Sequence, residues 1–68
     1  MVRTRVASTN IRSIGYSGTT LEVEFLHGGV YQYFNVPQEH YLNMIHYSHP
    51  GTYLARYIKG HYSYLRVA

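Results

Sequence analysis

Sixty-eight residues without a cysteine describe one small domain, 1–68, that neither disulfides nor thiolate metal sites can brace. A chain of this length removes only about 60% of its unfolded surface from water, so its stability rests on a thin core. Six Lys/Arg against three Glu and no Asp leave a net charge of +3, which favours an anionic partner such as nucleic acid but equally suits plain solubility. Nothing resembles a signal peptide, and no apolar run approaches the roughly 20 residues that span a bilayer, so a cytoplasmic protein without a membrane partner is expected. Tyrosine occurs nine times and tryptophan never, which gives the aromatic content polar handles.

In chain order, residues 1–10 are polar and read as an extended arm. From Ile11 the alternation favours a strand with Ile14 and Tyr16 on one face, ended by Ser17-Gly18-Thr19-Thr20. Leu21-Glu22-Val23-Glu24-Phe25 alternates cleanly, apolar on one side and acidic on the other. His27-Gly28-Gly29 signals a hairpin, because glycine supplies the positive φ that tight turns need, and Val30 to Val36 follows as a third strand. Pro37 suits a first helical position, with Glu39 in the positive first turn. Gln38 to Tyr47 then carries Tyr41, Leu42, Met44 and Ile45 at helical spacing, until Ser48-His49-Pro50-Gly51 breaks the pattern. Thr52 to Lys59 repeats that spacing with Tyr53, Leu54, Tyr57 and Ile58, and Gly60 stops it. The tail, His61 to Ala68, alternates again and suits an edge strand or an extended end. The fold expected is α+β: a three-stranded antiparallel meander, then two short helices packed on one face, with room for a further edge strand at either terminus.

Hairpin register decides what Tyr31 and Tyr33 do. A two-residue loop at His27-Gly28 or at Gly28-Gly29 places Phe34 and Val36 on the core face with Leu21, Val23 and Phe25. Tyr31 and Tyr33 then face outward with Glu22 and Glu24, beside Gly15, which has no side chain to fill the space. A three-residue loop with a bulge reverses every side chain. The first register is preferred because it keeps Phe34 and Val36 inward. At Gly15, a cross-strand tyrosine folding over the glycine is the simpler expectation, and entry of a flat ligand the alternative.

Catalysis has little to draw on. Glu22 and Glu24 lie on a strand, Glu39 is explained by the helix start, and no nucleophile elbow, P-loop or dinucleotide fingerprint occurs. The five histidines show no converging metal spacing, so no enzyme activity, metal or cofactor is expected. The strongest local signal is Arg56-Tyr57-Ile58-Lys59-Gly60-His61-Tyr62-Ser63-Tyr64-Leu65-Arg66. It interleaves cations with rings, the combination that single-stranded nucleic acid exploits, charges following phosphates while bases stack. Positive side chains at a helix end also suit its dipole, which explains part of the pattern without a ligand. The candidate stacking residues are Tyr31, Tyr33, Tyr62 and Tyr64, and the candidate phosphate contacts Arg56, Lys59 and Arg66. The alternative is a protein-interaction or homodimerisation module that uses the same tyrosine face.

The ordered set Ser8-Thr9-Asn10-Ile11, Ile14-Gly15-Tyr16, Leu21 to Phe25, Tyr31-x-Tyr33, Phe34-Asn35-Val36-Pro37, Gly51-x-Tyr53 and Tyr57-Ile58-Lys59-Gly60, leading to Tyr62, resembles the KTSC domain. That module is found at the C-terminus of some lysyl-tRNA synthetases and as free-standing small bacterial and phage proteins. The resemblance covers nearly the whole chain and implies RNA binding by association with the synthetase, without naming catalytic residues.

Overall fold

In the computed structural model, which describes residues 1–68, the alternating segments pair into one antiparallel sheet. Its strands are β1 (Arg3–Arg5), β2 (Ile11–Ser17), β3 (Thr20–Phe25), β4 (Val30–Tyr33) and β5 (Tyr64–Arg66), and they lie in the order β1-β2-β3-β4-β5. Between β4 and β5 the chain forms α1 (Gln38–His46) and α2 (Pro50–Tyr53), the latter continuing as a π-helical turn over Leu54–Ile58. The class is α+β as expected, with five strands rather than three, because both terminal segments join the sheet.

The N-terminal arm is therefore not free: Arg3 pairs with Gly15 and Arg5 with Ser13. Beside it, β2 carries a bulge between Ile11 and Ser13. Strict alternation would place Ile11 on the outer face with Ser13. The extra residue, Arg12, resets the parity, so Ile11 and Ile14 are both fully buried while Ser13 points outward. The β2–β3 hairpin keeps the anticipated register, Ile14 opposite Val23 and Tyr16 opposite Leu21.

The β3–β4 hairpin does not. Leu21 pairs with Tyr33, Val23 with Tyr31 and Glu24 with Val30, closed by the Phe25 and Gly29 backbones around a three-residue loop, Leu26–Gly28. Gly28 and Gly29 both hold positive φ, 100° and 94°, a conformation that lets the loop take an odd number of residues. The odd loop reverses the strand, so Tyr31 and Tyr33 lie on the helix-side face and not outward beside Glu22 and Glu24. Val36 remains fully buried nonetheless. Asn35, at φ 58°, turns the chain out of strand geometry, and the Val36 N–H bonds the Thr19 carbonyl at 2.9 Å. Parity counted along an unbroken strand from Tyr31 to Val36 fails at that residue.

One helical layer covers the centre of the sheet. Met44 of α1 and Tyr53, Leu54 and Ile58 of the second helical segment close over Ile11, Ile14, Leu21, Val23, Tyr33 and Val36, which together form the core. Tyr41 stacks on Tyr16 with ring centroids 5.5 Å apart, whereas Leu42, assigned to the apolar face by its spacing, is exposed. Pro50 breaks the first helix as expected and opens the second. The π turn, closed by the Lys59 N–H on the Leu54 carbonyl at 2.8 Å, turns Ile58 into the core. Gly60, at φ 81°, then reverses the chain toward β5.

Candidate functional site

The helical layer is narrower than the sheet. It stops short of the β4–β5 edge, and there the helix-side face opens as a groove of about 600 Å³. Its floor consists of Phe25, Tyr31, Tyr33 and Tyr64, its rim of Lys59 and Gly60 on one side and His27 and Gly28 on the other. β5 supplies part of this floor because its pairing, Tyr64 with Tyr33 and Arg66 with Tyr31, turns both side chains to the face the tyrosines occupy.

The rings form a continuous aromatic surface. Phe25 meets Tyr31 edge-on at 5.5 Å, and Tyr64 lies tilted over Tyr31 and Tyr33 at 6.0 and 5.7 Å. Two cations border it: the Lys59 ammonium stands 5.5 Å from the Phe25 ring centre, and the Arg66 guanidinium 5.9 Å from that of Tyr31. Arg66 Nε donates to the Ala68 carbonyl at 2.9 Å, which fixes the guanidinium beside the ring. Tyr33 is only 3% exposed, and its hydroxyl makes no hydrogen bond within the chain. Burial pushes that phenol above its ordinary pKa of 10.0, and the neighbouring hydroxyls of Tyr31 and Tyr64 push the same way.

Charge is segregated across the sheet. On the outer face Glu22 pairs with Arg3 at 2.6 Å and accepts from Gln32 at 2.8 Å, while Glu24 accepts from Ser13 at 2.8 Å and faces Arg3 and Arg12. The space above Gly15 is taken by the Val2 carbonyl, the Arg3 stem and Met1 of the N-terminal segment that adds β1, and not by a cross-strand tyrosine, because Tyr31 and Tyr33 lie on the opposite face. Every ion pair to a carboxylate side chain lies on this outer face. The groove has no acidic side chain in its lining; Lys59 is its lining cation, and Arg66, its Nε bonded to the Ala68 oxygen, stands next to it over the Tyr31 ring.

The outer network has a titration signature. The Gln32 bond, helped by Arg3, holds Glu22 below its ordinary pKa of 4.5, against an opposing effect of burial. A carboxyl depressed in the folded state adds stability that is whole above its unfolded pKa and is lost as the pH falls through the folded value. Thermal midpoints followed by circular dichroism are therefore expected to decline below about pH 4.5, and to decline less in Glu22→Gln.

Of the residues singled out by sequence, the groove brings together Tyr31, Tyr33, Tyr64, Lys59 and Arg66. It leaves out two. Tyr62 is half-buried against the His40 ring at 5.9 Å, and Arg56 is exposed on the helical layer without lining the groove. Sequence reasoning missed Phe25, assigned wholly to the core, and Asn10, assigned to the arm. Ser8-x-Asn10 before a strand is a side-chain turn signal: the Ser8 hydroxyl donates to Asn10 Oδ1 at 3.0 Å and accepts from the Ile11 N–H at 3.2 Å.

Two comparisons match this chain to known proteins. A family model described as the KTSC domain matches residues 7–62. The crystal structure of a KTSC domain protein from Yersinia pestis superimposes with a TM-score of 0.93 at 32% sequence identity, over 98% of this chain and 97% of that one. No curated protein matches.

Proposed function

The chain belongs to the KTSC domain family, and from that premise we propose that it is a non-catalytic module that binds single-stranded nucleic acid in the β4–β5 groove. The observation that carries this reading is the joining of a continuous aromatic floor to Lys59 within the cleft and Arg66 beside it, with no acidic side chain in the lining. A base is flat and uncharged at neutral pH while its linkage is anionic, so rings accept the first and Lys59 and Arg66 the second. The Lys59 ammonium lies over the Phe25 ring and the Arg66 guanidinium over that of Tyr31, within reach of the linkage of a base seated on the rest of the floor. A groove of this size lies within the range of small-ligand sites, and its open edge at β5 lets a chain enter and leave.

Fluorescence anisotropy of a labelled oligonucleotide, titrated at several salt concentrations, tests the reading. Two neutralised phosphates on a single strand give a slope of log K against log[salt] of about −1.4. Lys59→Ala is expected to reduce that slope by about 0.7. Absence of binding at low salt overturns the proposal. A salt-independent self-association in sedimentation would instead assign the exposed Tyr64 and Leu65 edge to a protein partner.

A further inference from the structure

A second cavity, of about 360 Å³, opens between the Ser8–Asn10 turn and the start of α2. It is unlike the groove. Its polar lining consists of Ser8, Thr9, Asn10, Ser48, His49 and Thr52, with no aromatic floor, no Lys or Arg and no acid. Asn10 lines both cavities, so the two share a wall. The Ser8 hydroxyl occupies Asn10 Oδ1, which leaves the Nδ2 hydrogens as what this side chain offers to a ligand. Gly51 makes the arrangement feasible, since a methyl group there would overlap the Asn10 amide.

We infer that this cavity holds the ribose of the nucleotide adjoining the one stacked in the groove, and that the module therefore prefers RNA to DNA; the inference rests on the nucleic-acid reading above. The chemistry of the lining selects the sugar. A base would want an aromatic floor, and the one ring lining this cavity is the small, exposed imidazole of His49, whereas the tyrosine and phenylalanine rings all line the first. A phosphate would want a cation, and Lys59 is on the groove side of Asn10. What remains of a nucleotide is an uncharged, hydroxylated ring. Serine and threonine hydroxyls both donate and accept, and an amide N–H₂ donates, so they complement a 2′-hydroxyl, which does both. That hydroxyl is the group by which a protein tells RNA from DNA.

The test compares labelled oligouridine with oligodeoxyuridine of about eight nucleotides, a length within the span a small domain covers. The two probes differ only at the 2′ position. Wild-type protein is expected to bind the ribose form about three- to tenfold more tightly, the worth of one or two net hydrogen bonds. Thr52→Val removes a hydroxyl from an exposed position while keeping the shape, and Asn10→Ala removes the shared amide. Thr52→Val is expected to shrink the ratio toward one by weakening RNA binding with the DNA affinity held, while Asn10→Ala, which alters both cavities, is expected to shrink the ratio and weaken both probes. Tyr64→Ala is expected to weaken both probes and preserve the ratio. Equal wild-type affinities, or a ratio unmoved by Thr52→Val, overturn the ribose assignment and leave the groove reading standing. If neither probe binds, both fall together.

Discussion

Tyr33→Ala is expected to abolish the folded state, whereas Tyr33→Phe is expected to preserve it. The ring is 3% exposed and packs in the core opposite Leu21, so its removal leaves a cavity under the helical layer. Truncating a buried aromatic costs about 3–5 kcal/mol. A domain of this length holds about 3–10 kcal/mol in total. The loss is comparable with the whole, and urea unfolding by circular dichroism reads it directly. Phenylalanine keeps the packing and removes only a hydroxyl that has no partner within the chain. It also removes an alkaline liability. Because the Tyr33 phenol titrates above its ordinary 10.0, the stability it contributes is whole below that pH and is lost as the pH rises toward the raised value. The phenylalanine variant is expected to show a flatter alkaline limb. A Tyr33→Ala protein that melts like wild type would contradict the observed register.

Tyr64→Ala is expected to do the opposite, weakening binding while sparing the fold. Tyr64 is 62% exposed on the edge strand, yet it stands over both Tyr31 and Tyr33 and closes the aromatic floor. Loss of one stacking platform costs about 1–3 kcal/mol of binding, or roughly five- to 150-fold in affinity. Arg66→Ala, on the same strand, is expected to lower affinity chiefly at low salt if, as proposed, its contribution is a phosphate contact. The pair of variants separates stacking from charge. If Tyr64→Ala leaves oligonucleotide affinity unchanged, the groove is not where bases sit.

These expectations differ from what the residue pattern alone implies, and two positions explain why. Alternation in Leu21–Phe25 and at Ile14 and Tyr16 was legible because each strand turns its large apolar side chains to one face, and the β2–β3 turn added no odd residue. The tyrosine face was not, because loop length is a matter of backbone φ at Gly28 and Gly29, and one residue more reverses the strand. Phe34 and Val36 had argued for the other register. Asn35 breaks the strand between Tyr33 and Val36, and that break carries Val36 inward from the reversed strand. The bulge at Arg12 is the same kind of event, a local change of parity that leaves no trace in composition.

For this protein, composition and periodicity by themselves determined a small basic α+β domain, the places of its three central strands and two helical segments, and the residue types that could contact an anionic, base-bearing polymer. These follow from short-range physics, alternation and turn chemistry. Only the tertiary structure decided that Tyr31 and Tyr33 lie beneath the helical side, that Lys59 and Arg66 border them, and that Tyr62 and Arg56 lie elsewhere. Those placements depend on β5 returning to pair with β4, with Tyr33 opposite Tyr64 thirty-one residues later, and on the helical layer ending short of that edge. Such long-range pairing is set by the closure of the whole sheet and core, and no local window of sequence contains it.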